Sequence, residues 1–242
     1  MSTERNIIEV RGLPVEIVRK EIKNLHLGVY PPNGRVRVAA PKGFDDDTVR
    51  MAVISRLRWI RRQQESFKQQ ERQSEREIIT GESHYYRGKR YRLNVVSDDG
   101  PASIVLTNSS TMMLRVHSES TRADREAVLL HWYRTQLRKQ VPSLKAKWEP
   151  VVGVSVAEVR IKKMKTLWGS CNAEAGRIWL NLELAKKPVS CLEYILVHEM
   201  VHLLERRHNN QFRNYMDSLM PTWRLHREEL NRAPLAHEDW KY

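Results

Sequence analysis

The segment from Ser190 to Leu204 constrains this chain more than any other. Leu192, Tyr194, Ile195, Leu196, Val197, Met200, Val201, Leu203 and Leu204 point to every side of one helix, so that helix has to be buried. Ser190 and Glu193 form a Ser-x-x-Glu capping box that predicts its start, just after Pro188. The same helix carries His198, Glu199 and His202. Buried polar groups need partners, and the helix itself offers none. A metal ion resolves the conflict. His198 and His202 are about one turn apart, ~6 Å of rise, so both imidazoles leave one face and can share an ion. Glu199 lies ~100° round the helix from His198, where it reaches water at the ion without competing as a ligand. His-Glu-x-x-His with the glutamate as general base is a zinc-hydrolase pattern. It predicts one Zn2+ per chain.

A third protein ligand is needed, and His208 is the first choice. On a straight helix it would lie ~15 Å from His198 along the axis, so the chain has to turn within Glu205–Arg207 or just after. Asn209 and Asn210 tolerate the left-handed conformations such a turn uses. Glu228 and Glu229, on a helix after Pro221, are the rival ligands. The spacing of the three histidines equals that of metzincins. Those enzymes have a glycine three residues after the second histidine, where this chain has Glu205.

The 242 residues suffice for one or two domains. Lys and Arg number 42 against 29 Asp and Glu, a net charge of +13 spread along the chain. This means either a solvated basic surface or attraction to a polyanion, nucleic acid or a nucleoside triphosphate. Two cysteines, Cys171 and Cys191, exclude a disulfide scaffold and suggest a reducing, cytoplasmic setting. No apolar run approaches a membrane span, and the start lacks a signal-peptide pattern.

The expected class is α+β. Residues 1–120 are expected to form an N-terminal β-rich region with a long helix over 45–77, and residues 121–242 the hydrolase core. No internal repeat is visible. Val15–Val18, His26–Tyr30 and Arg35–Val38 read as strands, with a turn at Pro31-Pro32-Asn33-Gly34. The helix carries an apolar stripe of Val49, Val53, Leu57, Ile60 and Phe67, which thins after Ile60 into Arg and Gln. Its second half should be exposed. Strands follow over 85–93, with a turn at Gly88, and then over 103–106 and 111–117. Thr121 and Asp124 open a helix that Pro142 should stop. Strands at Val154–Lys163 and Arg177–Leu182 flank a loop at Trp168–Asn172.

Trp168-Gly169-Ser170-Cys171, Arg177-Ile178-Trp179-Leu180-Asn181, the run Tyr194–Leu203, His208 and Phe212 together resemble the YgjP-like metal-dependent hydrolases, relatives of SprT-like and other compact zinc peptidases. The resemblance covers roughly 25–235. It implies a zincin-type core of small sheet, backing helix and zinc helix, with His198, His202 and His208 as ligands and Glu199 as base. The family usually has arginine before Trp-Gly-Ser-Cys; here Leu167 stands there. Two substrates fit the motif. One is a peptide or protein, which an edge strand near Asn181 would pair with. The other is a nucleoside triphosphate, as in a UTP pyrophosphatase, with phosphates held by Arg160, Lys163 and Lys165. Nucleic acid is the weakest reading, because the charge is spread and no DNA-binding signature is present.

Overall fold

The computed structural model describes residues 5–30, 33–69, 77–164 and 167–232. They fall into two compact units that part between residues 69 and 77. Each has its own apolar core.

The first unit is a four-stranded sheet with a helical layer. Strands β1 (Arg5–Val10), β2 (Leu13–Lys20), β3 (His26–Tyr30) and β4 (Arg35–Pro41) lie in the order β1-β2-β4-β3. The outer pairs are antiparallel and the central pair, β2 with β4, is parallel. Asp45 starts α1 (Asp46–Ser55) by accepting the Thr48 N–H at 2.7 Å. Val49, Val53 and Ile60 bury against Val15, Ile17, Val36 and Val38. The helix expected over 45–77 is not continuous. It breaks at Arg56, whose N–H bonds the Val53 carbonyl at 3.1 Å, and resumes as α2 (Leu57–Gln69). Residues 70–76 and the Phe67 side chain lie outside the described residues, and Glu77 is not helical.

The second unit begins with the same plan. Strands β5 (Ser83–Tyr86), β6 (Lys89–Ser97), β7 (Ser103–Leu106) and β8 (Thr111–Val116) run β5-β6-β8-β7, again with antiparallel outer pairs and a parallel centre. A helix comes next, α3 (Arg122–Val152). The first hairpin turns of the two units match as well. Arg11 and Gly12 have φ of 50° and 75°, Arg87 and Gly88 have 49° and 77°, the two positive-φ residues of a tight hairpin turn. The turn glycines, 12 and 88, and the first helical residues, 46 and 122, are both 76 positions apart. At that offset Val10 and Tyr86, Ile17 and Leu93, Val38 and Leu114, and Val53 and Leu129 are all buried. The chain therefore contains a repeated ββββα module, contrary to the expectation of no repeat. The boundary expected near 120 lies instead before the second module, because Tyr86, Leu93, Met112 and Leu114 share one core with Leu129 and Tyr133 of α3.

Thr121 and Asp124 form the expected reciprocal capping box at the start of α3. Pro142 does not end this helix, which runs on through Pro150 to a left-handed Gly153. Leu137 and Val141 before the proline, and Trp148 and Val152 after it, all bury in one core. That burial outweighs the single ladder bond the proline removes.

The rest of the unit is a second, three-stranded sheet and three helices. Strands β9 (Glu158–Lys162), β10 (Gly169–Asn172) and β11 (Arg177–Asn181) lie in the order β10-β11-β9. The expected loop at Trp168–Asn172 is thus mostly an edge strand, antiparallel to β11. A 3-10 turn over Leu182–Lys186 leads to α4 (Val189–Val201), then α5 (Asn210–Leu219) and α6 (Trp223–Arg232). No helix among the described residues is long and apolar enough to cross a membrane.

Candidate metal centre

Helix α4 is buried on all sides, including Leu192, Leu196, Val197 and Met200. Its start differs from expectation. Pro188 is the N-cap, and no side chain caps the helix. Glu193 instead turns outward to α3, accepting bonds from Lys147 Nζ and Trp148 Nε1, both at 2.6 Å. A buried α4 gains more from that tie than from a second cap, since the Pro188 carbonyl already accepts the Cys191 N–H.

Helix α4 ends at Val201, and His202 is its C-cap. The chain thus turns a few residues earlier than the sequence suggests, and His208 comes back beside His198. The Nε2 atoms of His198 and His208 are 3.0 Å apart. The candidate ligand atoms of His198, His202 and His208 all lie within 4.8 Å of one another. Two imidazole nitrogens on one tetrahedral zinc stand roughly 3.4 Å apart, so the three rings could hold one such ion. His202 Nδ1 donates to the Glu205 carbonyl at 3.1 Å. That bond fixes the tautomer and leaves the Nε2 lone pair for a metal. Phe212, the third residue after the α5 cap Asn209, backs all three rings at centroid distances of 4.7–4.9 Å. His198 Nδ1 is buried without a hydrogen-bond partner, so packing sets that ring's angle. Burial first, then His202 and His208, holds the His198 pKa down to about 3. Burial also lowers that of His208. Both rings are therefore neutral and able to ligate at ordinary pH.

Glu199 is 5% exposed, and burial pushes its carboxyl up to about 8. Its neighbour is the β10 backbone. A Cβ on Gly169 would stand 2.6 Å from Glu199 Oε1, so only glycine admits the carboxylate there. This gives Gly169 a role that its place in Trp-Gly-Ser-Cys signalled but reading of the sequence left unassigned. Glu199 and the three histidines share a cavity of about 340 Å³ with Leu167, Gly169, Ser170, Cys171, Ala173 and Arg206. Leu167, 55% exposed, lies at the position where an arginine was expected. Burial holds the Cys171 thiol up at about 11, which makes it a neutral wall.

Of the remaining expected site residues, Asn181, Arg160 and Lys163 do not line the cavity. Asn181 is buried, and its Nδ2 donates to the Met164 and Leu167 carbonyls, both at 2.8 Å. Its Oδ1 accepts from Met164 and Glu183 N–H. It clasps the segment leading to Leu167 and spends its amide on backbone. Arg160 Nε donates to Glu158 at 2.6 Å and its guanidinium lies over Trp179. Lys163 faces Glu126 at 3.6 Å. Lys165 lies outside the described residues. Of the rival ligands, Glu229 accepts a bond from Cys191 Sγ at 3.3 Å. Neither it nor Glu228 joins the histidine cluster.

The family model of the YgjP-like metallopeptidase domain matches residues 23–233. The chain belongs to this family. No curated protein matches the sequence. Among solved structures, the metallopeptidase zymogen abylysin of Pyrococcus abyssi is similar at 21% identity and a TM-score of 0.35, over 37% of this chain and 90% of that one. Family and geometry together support a metallohydrolase-like domain with a histidine metal site.

Proposed function

We propose that this chain is a zinc-dependent peptidase in which Glu199 is the general base. The observation that carries the proposal is the convergence of three imidazoles on one point beside a buried carboxylate, at the wall of one cavity. His198, His202 and His208 would hold the ion. Zinc, when bound, supplies a Lewis acid that acidifies water and polarises a carbonyl. Glu199 takes the proton from the attacking water and returns it to the departing amine. A carboxyl that burial holds up to about 8 exchanges protons near neutral pH, as that role requires. Gly169 keeps the carboxylate close to β10. Strand β10 is an edge of its sheet, and Gly169, Ser170 and Cys171 line the cavity. An extended polypeptide can add to such an edge through main-chain hydrogen bonds.

A nucleotide needs cations at the cavity. Arg206 lines it but faces Glu174 at 3.5 Å, while Arg160 and Lys163 are engaged by Glu158 and Glu126. Peptide is therefore the first reading. The test is zinc-loaded protein offered unfolded casein and a panel of nucleoside triphosphates, with and without chelator. Chelator-sensitive cleavage of casein is expected. Hydrolysis of UTP with casein intact would overturn the peptide assignment.

A further inference from the structure

The second half of the helical layer in the first unit has no part in the metal centre. Ile60 and Gln64 of α2 turn inward, and Leu57 is half-buried. Ile60 is fully buried, and Gln64 Nε2 donates to the Gly34 carbonyl at 2.8 Å. The opposite face presents Arg58, Arg61 and Arg62, with Arg56 at the break and Trp59 on the flank, and all five are exposed. Among the described residues, no ion pair engages any of these four arginines. Trp59 keeps 42% of its surface exposed. Residues 5–69 hold 14 Lys and Arg against 7 Asp and Glu, so the field around this helix is positive.

Comparison of the two modules shows that Arg56 and Arg61 on this face are particular to the first. At the 76-residue offset, Arg56 corresponds to Trp132 and Arg61 to Leu137. Leu137 is fully buried and Trp132 packs on the core of the second unit. At Arg56 and Arg61 the first module carries arginine where the second carries docking side chains, while Arg58 and Arg62 have arginine counterparts in Arg134 and Arg138.

We propose that this face of α2 binds single-stranded nucleic acid, with the arginines on phosphates and Trp59 stacked on an unpaired base. Unpaired guanidiniums on one helix face suit a phosphate backbone. An exposed indole beside them gives a base a platform, which an acidic peptide has no group to use. A membrane surface is disfavoured because a lipid-binding helix turns a broad apolar face outward, whereas Ile60 of α2 is buried and Leu57 half-buried.

The test uses the full-length protein and fluorescently labelled oligo(dT) and oligo(U) in an anisotropy titration over a range of salt. The wild type is expected to bind both, weakening as salt rises. The triple substitution Arg58→Gln, Arg61→Gln, Arg62→Gln should reduce the logarithmic salt slope by about 2, since single strands lose ~0.7 per phosphate contact. Trp59→Ala should weaken binding about tenfold with the slope unchanged, the loss of one stacked base. These side chains are exposed, so far-UV circular dichroism and casein cleavage should match the wild type in both variants. Equal affinity and slope in wild type and triple variant would overturn the proposal. So would binding to phosphatidylserine vesicles with none to either oligonucleotide.

Discussion

The two ββββα modules share strand order, pairing and hairpin turn, yet only one is built into the metal centre. The difference lies in the segments packed against each of them. In the second module the Gly88 turn is clipped to the segment before α4: Arg87 and Gly88 N–H groups donate to the Ala185 and Lys186 carbonyls at 3.0 and 3.1 Å. A Cβ on Gly88 would stand 2.8 Å from Pro188, the N-cap of the metal helix. In the first module a Cβ on Gly12 meets nothing within 4 Å. Helix α3 likewise runs on for 31 residues to back α4, whereas the first module breaks its helix at Arg56 and turns arginines outward. One plan thus serves as scaffold for α4 in one copy and carries an exposed arginine face in the other.

The sharpest contrast should appear at the ligands. His198→Ala or His202→Ala should abolish hydrolysis and remove the zinc, measured by elemental analysis, while the first module keeps its fold. Full zinc stoichiometry in both variants would break the assignment of the second unit as the metal unit. Next come the turns. Gly88→Ala should cost ~1–2 kcal/mol for the left-handed backbone and a further ~1–3 kcal/mol for overpacking on Pro188. Gly12→Ala should cost only the first part. Denaturant unfolding monitored in each unit measures both, and equal losses would dissolve the distinction between clipped and free turns.

The carboxyls give a smaller contrast that depends on pH. In metal-free protein, burial holds Glu199 up to about 8 against an ordinary 4.5. The folded state then binds the extra proton between those values, so stability falls as pH rises from about 4.5 to about 8. Asp45 of the first module is shifted the other way, lowered by its bonds from Thr48, and contributes in the opposite sense at lower pH. Glu199→Gln should flatten the decline in chelated protein, read as unfolding temperature against pH. An unchanged profile would show that burial does not govern Glu199. The smallest effect is expected at Trp59→Ala and the α2 arginines, within ~0.5 kcal/mol of wild-type stability, as for exposed side chains without partners.

Legibility in the sequence depended on how local each cause was. The His-Glu-x-x-His spacing, the Thr121–Asp124 box and the turn at Arg87-Gly88 each act within a few residues, and each was legible. His208 was legible too, because only a return of the chain could make it a ligand. Pro142 misled because tertiary burial of Trp148 and Val152, six and ten residues on, carries the helix past it. Ser190 and Glu193 misled because Lys147 and Trp148, far away in sequence, claim Glu193. The module repeat was hidden because its copies keep buried positions and the Arg-Gly turn but few identical residues. Asn181 was noticed, but its task of clasping backbone at Met164 and Leu167 emerges only when β11 is set beside them.

The most direct test of the account compares Glu199→Gln with His198→Ala in one experiment, reading zinc content and casein cleavage together. Glutamine is close in shape to glutamate but cannot accept a proton. The account predicts that Glu199→Gln holds one zinc per chain with cleavage reduced by ~10²–10⁴, and that His198→Ala loses both zinc and cleavage. Undiminished cleavage by zinc-loaded Glu199→Gln would contradict the assignment of Glu199 as the base and, with it, the proposed mechanism.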